Sequence, residues 1–471
     1  MNIVIKYSLF IFNKDGFMSP IITEKKIPEL LDFSVNSKKI RENPLNFYAE
    51  AFKEKGDYVR VKVFPGIYMY IVFHPDGVQH ILKDNQSNYK KTPIIVNNVK
   101  VLFGNGLFTN EGESWLKQRR LIQPAFHRKK IEKLIDYMIK AVEVTIEDWN
   151  KLPDNSEINI SEEMTKLTIR ILSTALFSID ISSASNVLGK ALRDGFEYVN
   201  YKMNNMVSLP LWFPNERNRK TKKAVSDIDA VINEIISSRI NDKKEHNDLL
   251  DILLKAKDEE TNTGMTNQQL KDELVTMLAA GHDTTSAGLS WTFYLLAKNP
   301  DKKQKLFEEV DSIVNETLTA DKLTNLEYTK MCFEEGLRLY PPAWGLARES
   351  INTDIIGGYE IKSKTLIALS QFVTHKHPEF WEKPYDFYPE HFESAKSKNR
   401  HPFAYFPFGG GSRVCIGMLF AMMESQIILS MLTKHFDFEL VPNQNIIPDP
   451  TFTLIPKQGI KFIIKKRKKN G

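Results

Sequence analysis

Two short runs near the start of the chain, "YVRVKVF" (Tyr58 to Phe64) and "YMYIVF" (Tyr68 to Phe73), are rich in β-branched and aromatic residues on either side of Pro65-Gly66. That pattern predicts a β-hairpin. From about residue 110 to residue 340 the apolar positions instead recur with helical spacing. The longest helix is expected to open at Thr266, where "TNQQ" puts Gln269 at the reciprocal position of a capping box, and to close at Asn299 before Pro300. At 1.5 Å per residue it would run roughly 48 Å, enough to cross the molecule. Beyond residue 340, strand-like runs ("YEIKSKTLIALS", "FDFELV", "GIKFIIK") surround one more helix, expected to begin near Cys415. The sum is a mostly α (α+β) chain: a helical domain with a long central helix and small β-sheets.

Within this pattern four stretches invite a chemical reading. The long helix carries "AAGHDTTSAG" (Ala279 to Gly288) at its middle, and Gly281 there costs about 1 kcal/mol relative to alanine. One reading is a packing glycine with threonines bonding back to the i−4 carbonyl; the other is a local groove for a small ligand, flanked by an acid and an alcohol. In "CFEEGLRLYPP", Glu335 and Arg338 share a helix face, which in isolation is most often a surface ion pair. In "WLKQR", Trp115 and Arg119 present an indole and a guanidinium on one face, suited to an anion unless they are only helix surface. In "FPFGGGSRVCIG", glycines 409 to 411 permit a tight turn before Cys415 at the expected helix start. A helix N-terminus and nearby amides would stabilise a thiolate there. An inert buried cysteine and a phosphate loop are the alternatives, the latter weakened by the missing Lys-Ser/Thr pair. A lone thiolate in such a turn suits one soft axial bond to haem iron.

Composition narrows the class. The 471 residues are 42% apolar and 26% charged, with no linker, low-complexity tract or repeat, as expected of one large globular domain. Two cysteines cannot build a disulfide framework and point to a reducing, cytoplasmic setting. The apolar N-terminal run is interrupted by Lys6 and too short to span a bilayer, so no stable membrane anchor is expected. The net charge of +5 owes much to the "KKRKKNG" tail and does not point to nucleic acid. Expected boundaries are residues 18–466 for the domain, 1–17 for an extension with Met18 as an alternative start, and 467–471 for the basic tail. His375 and His377 in "HKHPEF" are read as structural rather than as zinc ligands.

The stretch Phe408-x-x-Gly411-x-Arg413-x-Cys415-x-Gly417 resembles the haem-binding signature of the cytochrome P-450 superfamily, the haem-thiolate monooxygenases. Trp115 with Arg119, "AGHDTT", and Glu335 with Arg338 match three further motifs in order, so the resemblance covers essentially the whole chain and is to a soluble bacterial-type member. It implies the cytochrome P-450 fold around a buried haem b, with Cys415 as the iron's proximal ligand. It further implies that Trp115, Arg119, Arg348 and Arg413 hold the propionates and that Phe408 packs near the thiolate. Gly281 would open a groove for oxygen, Thr284 would hydrogen-bond the oxygen being activated, and Asp283 would relay protons. The chain has no flavin- or nicotinamide-binding unit. A ferredoxin or flavodoxin with its reductase is therefore the expected electron source, and the basic "WLKQRRLIQPAFHRKK" a candidate contact for it. The expected reaction inserts one oxygen atom of O2 into an apolar small molecule, by a monomer. A peroxygenase and a haem-based sensor are the alternatives.

Two departures from the family pattern stand out: Ser412 in place of proline, and His391 where an arginine is usual in the network around Glu335. Histidine can still donate to Glu335, more weakly and with pH dependence. The expected substrate is a fatty acid, with a terpenoid or steroid as second choice. The pocket would be lined by Phe103, Leu107, Phe108, Met203, Met206, Leu209, Trp212, Trp344 and Leu454, with Lys202 a candidate for a carboxylate head.

Overall fold

Alternation in the first run builds its sheet. In the computed structural model, Tyr58–Phe64 (β2) pairs antiparallel with Ile67–Val72 (β3), and the register Val59↔Ile71 puts two fully buried side chains opposite each other. Residues 29–32, 39–40, 42–64, 67–178, 182–205, 208–242, 244, 246, 248–258, 262–312 and 318–467 are described; the expected extension 1–17, the start at Met18, Pro65-Gly66, Met206 and tail residues 468–471 lie outside them. The sheet continues with Glu29–Asp32 (β1), Tyr89–Lys90 (β4), Leu346–Ser350 (β6) and Leu366–Leu369 (β9) in the order β1-β2-β3-β9-β6-β4. Ser156–Asn159 (β5) belongs to a second, three-stranded sheet with Phe436–Leu440 and Lys461–Lys466. The run "YEIKSKTLIALS" is not one strand. Lys364 takes φ 59, which turns the chain, so Tyr359–Ile361 (β8) pairs with Asp354–Ile356 (β7) while β9 joins the large sheet.

The helical body is organised by its longest member. Its predecessors are Pro44–Lys55 (α1), Pro93–Phe103 (α2), Gly112–Ile122 (α3), Ile135–Asn150 (α4), Ile160–Phe177 (α5), Ser182–Asn204 (α6) and Glu216–Asn241 (α7). Asn267–Lys298 (α8) begins at the expected cap: Thr266 Oγ1 accepts from Gln269 N at 3.2 Å and Gln269 Oε1 from Thr266 N at 2.9 Å. It stops at Asn299, before Pro300. Most of its length is buried, and its interior alcohols bond back one turn, as Thr276 does to Asp272 O and Ser290 to Ser286 O.

No local break opens at Gly281. The helix runs through it, and a Cβ there would lie 2.9 Å from Leu172 Cδ1 on α5, so the missing side chain lets two long helices approach. Pro300–Ser312 (α9), Glu327–Leu339 (α10) and Met418–His435 (α11) complete the core beneath α8.

Candidate functional site

The glycine turn positions Cys415. Gly409 and Gly411 take φ 72 and 66, and a Cβ on Gly411 would fall 1.7 Å from the Leu82 carbonyl oxygen. Only glycine fits there. Ser412 N donates to Gln86 Oε1 at 2.9 Å, and Cys415 N donates to Phe408 O at 2.9 Å, closing the turn while the Phe408 ring packs on the core. The helix expected to begin at Cys415 begins at Met418, with Gly417 as its cap, whose carbonyl accepts from Ala421 N at 2.9 Å. Cys415 is exposed although protein crowds around it. That crowding pushes its thiol up, against the opposing pull of the Gly417 amide and the Arg119 charge. The thiolate stabilisation expected from a helix end is therefore not enough by itself; a metal at the sulfur would deprotonate it outright. The other cysteine, Cys332, is wholly buried and pushed further up by burial and nearby carboxylates. It is inert packing.

A positive wall surrounds this turn. The Arg413 guanidinium lies 4.1 Å from the Trp115 ring centroid, its Nη2 donates to Glu111 Oε2 at 2.5 Å, and its Nη1 is buried with no partner among the described residues. Arg119 Nη1 donates to Val414 O at 3.0 Å and ties α3 to the turn. Arg348, on β6, donates to its neighbour's carbonyl at Ala347, and burial together with the Arg413 charge pushes it down to about 10.

The sequence reading missed Lys91. It follows β4 and donates through Nζ to the carbonyls of Leu107 (3.3 Å), Phe108 (2.5 Å) and Asn110 (3.2 Å). Burial, Arg413 and Arg348 push it down to about 7, with Glu111 and Glu273 opposing. No motif marks it, because the cations converge from segments far apart in sequence. Three crowded cations, an orphaned guanidinium N–H and a nearby thiol suit a planar group that carries two carboxylates and a soft metal. Haem is such a group, and the residues fit it.

On α8, Thr284 Oγ1 donates to Ala280 O at 2.7 Å, and the Asp283 carboxylate accepts a short hydrogen bond from the buried Thr453 hydroxyl. Neighbouring His282 is buried with Nδ1 3.0 Å from Leu278 O and is pushed down by burial. Four rings form an apolar wall: Phe196 stacks on Phe452 at 5.1 Å, and Phe103 and Phe108 lie 6.1 and 5.8 Å from Phe452. Of the expected lining, Phe103 and Phe108 are in this wall and Leu107 is half-buried beside it. Trp344 donates to Thr451 O at 3.0 Å, and Leu454 is buried with its carbonyl taken by Trp291. Met203, Leu209 and Trp212, also expected in the lining, are 43%, 49% and 74% exposed. Lys202 donates to Ser208 Oγ at 2.6 Å.

Glu335 and Arg338 form no surface pair. Both are wholly buried and bidentate, at 2.8 and 2.7 Å, and Arg338 also donates to the carbonyls of His375, Pro384 and Asp386. His391 Nδ1 stands 3.1 Å from Glu335 Oε1. Burial pushes the Glu335 carboxyl up, but the Arg338 hydrogen bond and charge and the His391 bond outweigh it and hold it below the ordinary range. His375 Nε2 accepts from Phe406 N at 2.9 Å and His377 Nε2 meets Asp57 at 2.9 Å, so the two rings share no ligand, and no metal-binding cluster exists among the described residues.

The cytochrome P450 family model matches residues 26–464. Cyclooctatin synthase of Streptomyces melanosporofaciens is 31% identical over 87% of this chain and 89% of its own. From the same organism, cyclooctat-9-en-7-ol 5-monooxygenase is 31% identical over 86% and 87%. Among solved structures, the cytochrome P450DA heme domain superposes with a TM-score of 0.82 over 90% of this chain and 93% of that one, at 24% identity.

Proposed function

This chain belongs to the cytochrome P450 family and is a cytochrome P450 monooxygenase, and from that premise we propose that it oxygenates an apolar small molecule on a haem b held by Cys415, with electrons from a separate ferredoxin or flavodoxin. The observation that carries this reading is the Cys415 turn set beside buried Arg348 and the unpartnered Nη1 of Arg413. Haem, when bound, supplies the activation of O2 and its insertion into a C–H bond.

The chain's own residues do the rest. Cys415 would hold the haem iron through its thiolate. Arg413, Arg348, Arg119 and Trp115 would take the two carboxylates, with Lys91 beside them, and Arg413 Nη1 has no acceptor among the described residues. Thr284, whose hydroxyl now donates to Ala280 O, would supply a hydrogen bond on the substrate side, and Asp283, steadied by Thr453, would hold the proton to be delivered there. Phe103, Phe108, Phe196 and Phe452 exclude water and bind apolar surface, rewarding each buried methylene by ~0.8 kcal/mol.

A fatty acid remains the first substrate choice. The two Streptomyces relatives, one named as a monooxygenase of a cyclic alkenol, favour a rigid ring system as the second. Cys415→Ser should abolish the red-shifted Soret band of the ferrous carbon monoxide adduct, while Cys332→Ser keeps it; the reverse result would remove the assignment. In the parent protein, a spin-shift titration with fatty acids of rising length should show affinity climbing with length. A flat response beside tight binding of a polycycle would select the ring system.

A further inference from the structure

A cavity of about 200 Å³ lies between the residues that follow α3, the short helix Leu249–Lys255, Leu176 at the end of α5 and Phe420 in the first turn of α11. Phe126, Ile131, Leu134, Leu249 and Ile252 complete an apolar wall. None of these residues belongs to the Cys415 turn or to the rings around Phe452. Protein interiors are close-packed, and a void of this size leaves the atoms of its wall without contacts on one side. An apolar cavity of roughly 150 Å³ stays dry and takes up benzene. The larger volume here has room for one aromatic ring and a short tail.

The charged residues of the lining fall into two sets. Asp248 and Asp251 are committed within the fold: Asp248 holds the buried Arg239 guanidinium at 2.7 and 2.8 Å, Asp251 Oδ1 accepts from it at 2.8 Å, and Asp251 Oδ2 accepts from His246 N at 2.7 Å. Lys130, Lys133 and Lys255 form the other set, and all three are exposed. Lys130 and Lys133 have no carboxylate partner among the described residues, whereas the neighbouring Arg128 is paired with Glu132 at 2.8 Å. An apolar interior with ammonium groups on its solvent side suits an apolar body that carries one negative charge. The body leaves water inside the cavity, and the charge stays hydrated beside the lysines. A cation of the same shape would meet them as like charges.

We propose that this cavity is a second ligand site that binds a small aromatic carboxylate, with the ring against Phe126, Ile252 and Phe420 and the carboxylate at Lys130 and Lys133. It shares no residue with the proposed haem and substrate site, and it does not depend on the substrate proposed above.

The test uses the full-length, haem-loaded protein saturated with clotrimazole, so that the substrate pocket is already filled. Calorimetric titration with phenylacetate should show one-to-one binding. Phenylethanol should bind roughly tenfold more weakly, and phenylethylamine more weakly still. Ile252→Trp and, independently, Ala125→Leu fill the cavity and should each weaken phenylacetate at least roughly tenfold. Lys130→Gln/Lys133→Gln should bind phenylacetate and phenylethanol alike. Unchanged haem absorbance and circular dichroism in each variant show that the fold is intact. Parent-level binding in both cavity-filling variants, equal affinity for phenylacetate and phenylethylamine, or phenylacetate binding that appears only without clotrimazole would each overturn the proposal.

Discussion

Thr284 and Asp283 are sequence neighbours whose side chains answer to different parts of the protein. The threonine hydroxyl is held by its own helix at Ala280 O, and the carboxylate by Thr453 near the C-terminal strands. Releasing the hydroxyl costs about 1 kcal/mol, which a new hydrogen bond to the reacting oxygen would offset. Thr284→Ala should therefore keep haem and substrate but yield several-fold less product per nicotinamide oxidised, the difference appearing as peroxide, and Thr284→Ser should restore coupling. Asp283→Asn should slow turnover by about 10²-fold. Product, peroxide and nicotinamide measured together decide the matter: unchanged coupling and rate in both variants would remove these roles. At this scale Cys415, Arg413 and Trp115 were legible because each sits in a local motif. Lys91 was not, since nothing near it in sequence announces that Arg348 and Arg413 will crowd it.

Among the elements, the segment under the cysteine turn is tied to strand β7 through one carboxylate. Asp354 Oδ2 accepts from His80 Nε2 (2.8 Å), Asn85 Nδ2 (2.9 Å) and Tyr89 Oη (2.5 Å), while Oδ1 accepts from Ile355 N (2.8 Å). The same segment supplies Leu82 and Gln86 to the cysteine turn. Burial pushes Asp354 up, but hydrogen bonds from Tyr89, His80, Ile355 and Asn85 outweigh it and hold the carboxyl at about 2. The unfolded carboxyl titrates near ~3.9, so the stabilisation is fully present above that value and is lost as pH falls through about 2. Asp354→Asn should cost about 1–3 kcal/mol at neutral pH and loosen haem. Denaturant melts at pH 7 and in progressively more acid buffer check this: the gap between variant and parent should shrink on acidification, and a constant gap would contradict the linkage. The hairpin and the capped helix needed no such partner to be read. Their signals are contiguous, whereas the splitting of "YEIKSKTLIALS" hung on one left-handed residue, Lys364.

For the molecule as a whole, the proposed electron delivery would depend on which basic residues can meet an acidic partner. Arg120 is not a good probe, because it pairs at 3.1 Å with Asp258, whose side chain is wholly buried, so its reversal would injure the fold. Lys129, Lys130 and Lys133 are exposed beyond the end of α3. Lys129→Glu/Lys130→Glu should slow reduction by an acidic iron–sulfur or flavin protein several-fold at low salt and converge with the parent at high salt. Stopped-flow reduction of the haem measures it. Equal rates at every ionic strength, or efficient turnover with nicotinamide cofactor and no added protein, would refute electrostatic docking.

The sequence by itself determined what adjacent residues enforce on one another: the cap at Thr266, the glycine turn before Cys415, the order of four motifs, and hence the family and its chemistry. The tertiary structure decided whatever depends on burial and on distant segments meeting. It turned Glu335 and Arg338 from an ordinary i, i+3 pair into a wholly buried bidentate one, set Gly281 against Leu172, and left Trp212 in solvent. Local patterns specify backbone conformation because their interactions span a few residues. Burial and charge crowding are properties of the assembled core, and residue type alone carries them only as a tendency.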